Sequence, residues 1–207
     1  MKSCGRVSLL LVAASWLFAV TFGLLFLADH ASKPGRPASP PPHWPDGVAF
    51  ARNSAKPTLI MFLHPSCPCS RASLCELARL IGRERDKFDL SVVFTQTSEN
   101  ATNWSQTELF RNAIGNPDLH VLIDQNGRLA KQFGARTSGQ VLIYDRDGVL
   151  LFTGGITPGR GHSGDSEGRS MVKTIASGAA INTPMRCATY GCSLWATSMP
   201  ADSGRSP

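Results

Sequence analysis

The sequence has little charge: 17% of its residues are Asp, Glu, Lys or Arg. Lysine and arginine outnumber the acids to a net charge of +6, yet they never form a run of five. That scatter excludes the basic tract or stripe of a nucleic-acid-binding protein. A mild positive balance instead suits solubility or proximity to anionic lipid. There is no internal repeat, which excludes a solenoid or array. The stretch Leu27-Ala28-Asp29-His30-Ala31-Ser32 offers no small-x-small cleavage site, which argues against a removable secretory signal. With 42% hydrophobic residues in a chain of 207, the composition fits one globular domain plus an anchor rather than a disordered chain.

What is present begins with that anchor. Val7 to Ala28 carries no charge, and at about 1.5 Å per helical residue it spans a hydrocarbon core of roughly 30 Å. Lys2 and Arg6 precede the run and keep the N-terminus in the cytoplasm, so the bulk of the chain falls on the far side. Cys4 lies on the cytoplasmic side, where no role is expected of it. Residues 31–46 hold six prolines in sixteen, a composition that predicts a semi-rigid extended spacer of some 50 Å. The expected organisation is therefore 1–28 cytoplasmic N-terminus and anchor, 29–47 proline-rich linker, 48–195 folded domain and 196–207 disordered tail.

Within the domain, 58–63 (TLIMFL) reads as a buried strand. A helix is predicted from Ser70 to Arg83, with Leu74, Leu77, Ala78 and Ile81 forming one apolar stripe. A second buried strand covers 90–95, and Ser105 with Glu108 forms a capping box for a helix ending at Ile114, with Leu109, Phe110, Ala113 and Ile114 facing inward. His120 to Ile123 can add a short strand. Val141–Tyr144 and Val149–Thr153 flank Asp145-Arg146-Asp147-Gly148 and form a hairpin. A glycine-rich loop spans Gly154 to Gly168, a last helix runs from Arg169 to Ser177, and 181–207 reads as an irregular tail. A βαβ half followed by a ββα half gives a central sheet with helices on both faces, a three-layer α/β/α sandwich preceded by one transmembrane helix.

This order places Cys67 and Cys69 where the first strand meets the first helix. Backbone N–H groups and the dipole at a helix N-terminus stabilise a thiolate, the nucleophilic form of cysteine. Pro68 suits a first helical turn, and His64, one turn upstream, can add positive charge or carry a proton. Two readings of the spacing stand. Cys67-Pro68-Cys69-Ser70 makes Cys67 the nucleophile with Ser70 in the resolving position, whereas Ser66-Cys67-Pro68-Cys69 puts Ser66 in the nucleophile's place. A direct Cys67–Cys69 disulfide closes a very small, labile ring. Cys75 borders the apolar stripe and reads as structural.

By topology the Gly154–Gly168 loop ends beside the cysteines and brings Arg160, His162 and Asp165 there. Its glycines suit either an anion nest, a peptide contact or a loop closed on itself. Arg136-Thr137-Ser138-Gly139 leads into the third core strand on the same side, where Thr137, Ser138 and Gly139, together with His162, are candidates for contact with substrate. In the tail, Cys187 and Cys192 suit a local disulfide outside the cytoplasm, or Cys192 can fold back as partner to Cys67.

HPSCPCSRASLCELARL (64–80), FGARTSGQVLIYDRDGVLLFTGGITPGRGHSGD (133–165) and YGCSLW (190–195) together resemble the RedB-like branch of the thioredoxin superfamily, over residues 48–195. The resemblance implies a thioredoxin-like domain tethered to the bacterial inner membrane and facing the periplasm, without a defined substrate. Two departures from the wider thioredoxin pattern stand out: the second cysteine is not at i+3, and Thr137-Ser138-Gly139 occupies the place of the usual cis-proline. The leading expectation is a thiol–disulfide oxidoreductase or thiol peroxidase acting on protein thiols, disulfides or peroxide. Cys67 attacks, Cys69 resolves, and Arg160 or His64 supports the thiolate. No cofactor is required. The alternative is a Cu(I)-binding protein using Cys67, Cys69 and a histidine, His162 or His64, since soft thiolates suit that ion. A third possibility is an adaptor that uses the fold only for docking.

Overall fold

The computed structural model describes residues 2–96 and 104–195 and divides the chain into two compact units, the second beginning at Pro34. The first unit is a single helix, α1 (Lys2–Ser32). Its stretch Ser8–Ser32 has a mean hydropathy of 2.3, and its large apolar side chains, Leu9 through Leu27, point outward. A helix with apolar side chains all round fits a membrane anchor.

The second unit is built on a six-stranded sheet of order β3-β2-β1-β4-β5-β6. The strands are β1 (Thr58–Leu63), β2 (Asp89–Gln96), β3 (His120–Gln125), β4 (Gln140–Tyr144), β5 (Leu150–Gly154) and β6 (Met185–Arg186). The first three are mutually parallel, β4 is antiparallel to both β1 and β5, and β6 runs parallel to β5. With α2 (Pro68–Glu84) crossing from β1 to β2 and α5 (Glu167–Ala176) following the hairpin, this is the thioredoxin-like α/β/α arrangement that the element order predicts. The hairpin turn closes as expected: Gly148 adopts φ +85, and the Asp145 carboxylate accepts from the N–H groups of Asp147 and Val149.

Every residue of β1 is buried, so both faces of the sheet must be covered. Leu59, Met61 and Leu63 face α2, α3 (Glu108–Ile114) and α5. Ile60 and Phe62 face the other side. Among the described residues the only helix there is α4 (Arg128–Gln132), five residues long, too short for sequence periodicity to reveal. Asp124 starts it, accepting from Leu129 N–H at 2.8 Å and Ala130 N–H at 2.9 Å. The rest of that face is covered by chain without regular structure: Trp44, Val48 and Phe50 from before β1, and Leu194 and Trp195 from the end of the described chain.

Several expectations change on this account. The proline-rich segment is not a free spacer. Ser39 N–H donates to Gly134, Trp44 N–H to Gly148, Leu150 N–H to Pro42 and the Tyr144 hydroxyl to Pro41. Proline lacks an N–H but keeps its carbonyl, and Trp44 packs edge-on against Phe50, Phe133 and Tyr144. The tail is not irregular from 181 either. After β6 it stays hydrogen-bonded to the domain as far as Trp195, whereas the expected disordered tail 196–207 lies outside the described residues. The cap of α3 is Thr107, whose hydroxyl accepts from Phe110 N–H, not Ser105, and Ile114 is exposed. On α2 the inward face is turned toward Ala72, Ser73, Glu76, Leu77 and Leu80, leaving Ala78 outside.

If the proline-rich segment is part of the fold, Trp44→Ala in the detergent-solubilised chain should cost about 2–3 kcal/mol in urea unfolding, the scale of a half-buried aromatic truncation. A loss under about 0.5 kcal/mol, the size of an ordinary surface change, would mean the segment is detached.

Candidate active site

Cys67 sits immediately before α2. Its N–H donates to His64 at 3.1 Å and its carbonyl accepts from Ser70 N–H at 3.0 Å. Its sulfur accepts from the backbone N–H of Cys69, so it takes the place a Ser or Asp oxygen takes when capping a helix. The sulfur in contact with it is that of Cys192, 2.7 Å away and 125 positions later in the chain.

The electrostatics of this contact are asymmetric. Cys67 is lowered from the ordinary 9.0 to about 5, chiefly by the hydrogen bond from the Cys192 thiol. Burial opposes this, and the N–H groups of Cys192 and Cys69 and the Cys69 thiol add to it. Cys192 is raised, first because it donates to Cys67, then by burial and by the negative charge of Cys67 and Cys69, with Arg160 opposing. Cys69 is raised by burial and by the Cys67 charge, while Gly161 N–H and Arg160 pull it down. The reduced site at neutral pH is therefore a Cys67 thiolate facing a Cys192 thiol.

The Gly154–Gly168 loop does lie beside the cysteines. Glu76, fully buried on α2, holds it there. Its carboxylate accepts from Gly164 N–H at 2.9 Å and pairs with Arg79 and with Arg169, the latter at 3.1 Å. Arg169 also reaches Asp165 at 3.0 Å. The loop thus delivers Gly161 N–H toward Cys69 and lets Arg160 donate to the Gly191 carbonyl at 2.8 Å. Glu76 was hidden in the sequence as an acid beside the apolar stripe, adjacent to Leu77.

The remaining candidates divide. Ser70 is fully buried, donates to the His64 carbonyl at 2.7 Å and shares a 2.8 Å contact with the Ser138 hydroxyl, which in turn accepts from His64 N–H at 2.9 Å. Ser70 and Ser138 thereby fix the bend between β1 and α2. Ser66 is exposed, and its N–H donates to His64 Nδ1 at 3.3 Å. His64 is not among the groups that lower Cys67. His162 is exposed, with Nδ1 2.7 Å from the Arg160 carbonyl. Among the described residues no group of three His, Cys, Asp or Glu side chains is placed to hold a metal.

Thr137, Ser138 and Gly139 were expected to meet substrate backbone, but the chain itself occupies them. Ser138 N–H donates to the Cys192 carbonyl at 2.8 Å, Leu194 N–H donates to Arg136 at 2.9 Å, and Thr137 pairs with Ser193 as an antiparallel bridge. Gly139 N–H donates to Phe62, and the Thr137 hydroxyl to the Arg36 carbonyl. Gly191 makes the close passage possible, because a Cβ there would run into the Ser138 carbonyl. The glycine directly before Cys192 was the one sequence signal of it. Cys187, the other candidate for a local disulfide with Cys192, lies elsewhere. Its thiol donates to the Gly155 carbonyl at 3.3 Å, and burial and then Glu167 push it up to about 11. Cys75 is exposed.

No family model matches this chain, and no curated relative matches it either. Solved structures do. An uncharacterized conserved protein from Geobacillus kaustophilus superposes with a TM-score of 0.58 at 19% identity, over 81% of this chain and 94% of the other. A hypothetical protein from Sinorhizobium meliloti gives 0.54 at 19%, over 81% and 96%. The exposed lipoprotein thioredoxin of Streptococcus pneumoniae lies further off, at 0.43 and 20% identity over 61% and 87%. The first two show the fold alone.

Two outcomes check this site. Cys67 ionises at about 5 in the folded chain against 9.0 ordinarily. Its ionisation therefore stabilises the reduced fold fully above pH 9.0, and that stabilisation is lost as the pH falls through about 5. Ultraviolet thiolate absorbance of the reduced chain should show a midpoint near 5 that rises in Cys192→Ala; a midpoint near the free thiol value would remove the asymmetry. Separately, Glu76→Gln leaves Arg169 without its buried counter-charge and should cost about 3 kcal/mol in urea unfolding.

Proposed function

We propose that this chain is a membrane-anchored thiol–disulfide oxidoreductase whose working pair is Cys67 and Cys192, with its domain on the periplasmic side. The observation that carries the reading is the contact of two sulfurs so distant in sequence, one of them at the start of α2, and the lowering of Cys67 by its partner agrees with it. The fold is of the type that supports thiol–disulfide exchange, and Lys2 and Arg6 before the apolar run Val7–Ala28 favour a cytoplasmic N-terminus.

In the cycle, the Cys67–Cys192 disulfide takes two electrons from a partner dithiol. The partner's sulfurs join as a disulfide, Cys192 ends as a thiol, Cys67 ends as a thiolate, and one proton goes to solvent. A disulfide of higher potential restores the pair. Stabilising the Cys67 thiolate favours the reduced state and so makes the disulfide oxidising, which supports a disulfide donor over a reductant. Cys69 takes part by its N–H and thiol hydrogen bonds to Cys67.

The test is to equilibrate the detergent-solubilised chain in glutathione buffers of graded potential, quench in acid, alkylate and locate disulfides by mass spectrometry. A reversible Cys67–Cys192 bond, with a potential above that of the glutathione couple, is expected. A reversible Cys67–Cys69 bond would move the pair, and cysteines that never oxidise would end the exchange reading.

A further inference from the structure

Resting on that reading, we propose that redox partners exchange with Cys192 and not with Cys67, because residues 190–195 form a fixed strap that roofs Cys67 and presents Cys192 outward. Cys67 is 4% exposed, whereas Cys192 is half-buried and its neighbour Ser193 is exposed. Exchange depends on which sulfur an incoming thiolate can reach. Attack runs in line with the bond being broken, so a thiolate reaching Cys67 must come from the side away from Cys192, and there Cys67 is closed.

The strap is built to stay. Leu194 is fully buried in the cluster formed by Ile60, Phe62 and Phe133. Trp195 donates from Nε1 to the Ala135 carbonyl at 2.9 Å and lies under the Lys131 and Arg136 cations. At its other end Thr189 is tied to the buried Gln140 side chain at 2.9 Å, and Gln140 in turn to Thr153 at 3.0 Å. Between these ends the backbone of Arg136 and Ser138 and the Arg160 guanidinium hold it. The edge at 136–138 is thus spent on the protein's own chain. An extended partner segment cannot pair there without uncovering Leu194.

The chemistry then has a definite order. A partner thiolate attacks the Cys192 sulfur of the oxidised pair, the Cys67–Cys192 bond breaks, and Cys67 departs as a thiolate held by the Cys69 and Cys192 N–H groups. The partner is now bonded to Cys192. A second partner thiolate attacks the partner sulfur in that mixed disulfide, releases Cys192, which takes a proton, and leaves with the new disulfide. The substrate class is a dithiol whose first sulfur can reach a strap at the surface, without a requirement for an extended backbone alongside it.

The test compares Cys67→Ser and Cys192→Ser in the full chain in detergent, each reduced and then exposed to glutathione disulfide. Serine at 192 keeps a hydroxyl that can donate to Cys67, and titration of Cys67 absorbance verifies its thiolate. Mass spectrometry follows glutathione at each cysteine with time. Glutathione should accumulate on Cys192 in Cys67→Ser, and at least tenfold more slowly on Cys67 in Cys192→Ser despite its ionisation. Adding Leu194→Ala to Cys192→Ser, which loosens the strap, should restore the rate at Cys67. Equal or faster modification of Cys67 with the strap intact overturns the proposal while leaving the exchange reading in place. A wild-type chain that forms no Cys67–Cys192 bond under the same oxidant overturns both.

Discussion

The rest of this structure depends on one requirement: β1 is buried on both faces, so the sheet needs two covers. Three helices make the first. Among the described residues the second has only the single five-residue turn of α4, and apolar surface left in water there would cost about 25 cal/mol per Å². The chain meets the requirement with its own flanks. The segment from Pro34 to Phe50 and the segment from Met185 to Trp195 lie down on the exposed face or its margins. Because Leu194 must reach that face, Cys192, two residues before it, is carried past the end of β1 and onto Cys67. The pairing of the sulfurs follows from a packing need.

The same logic decides what the sequence revealed. Helices α2 and α5, the buried strands and the Asp145–Gly148 turn declare themselves through periodicity and turn chemistry, so the sheet and the position of Cys67 at a helix start were legible. The loop 154–168 could be placed by topology alone. The flanking segments could not, because they cover the sheet through isolated contacts, a Trp here and a Leu there, with proline carbonyls as acceptors. Such contacts have no period. For the same reason the local spacing of Cys67 and Cys69 drew attention, while the spatial pairing with Cys192 depended on where an irregular tail would fold. Glu76 was obscured differently: a buried acid with Arg79 one turn along looks like a surface pair until Arg169 from a distant helix is known as its second partner.

The segment 136–138 shows how a site can be complete and closed at once. Its Ser138 N–H and Arg136 carbonyl would suit an extended partner, but they are matched by Cys192 and Leu194 of the strap. Ser138 serves both sides, with its N–H to the strap and its hydroxyl to the bend that carries Cys67. A change at that residue would therefore be felt by both halves of the sulfur pair, though neither cysteine had been altered.

The distance between Cys67 and Cys192 along the chain has a meaning in time. With 125 positions between them and synthesis at about 5–20 residues per second, roughly 6 to 25 s separate their appearance. During that interval the growing polypeptide displays Cys67, Cys69 and Cys75 without the thiol that belongs opposite the first. The helix start that positions Cys67 forms from local sequence and does not wait, whereas the thiol that chiefly lowers Cys67 comes only with Cys192. The nascent chain is accordingly most open to wrong pairings while it is still being made, and its arrival at the correct sulfur pair requires the last cover of the sheet to be laid.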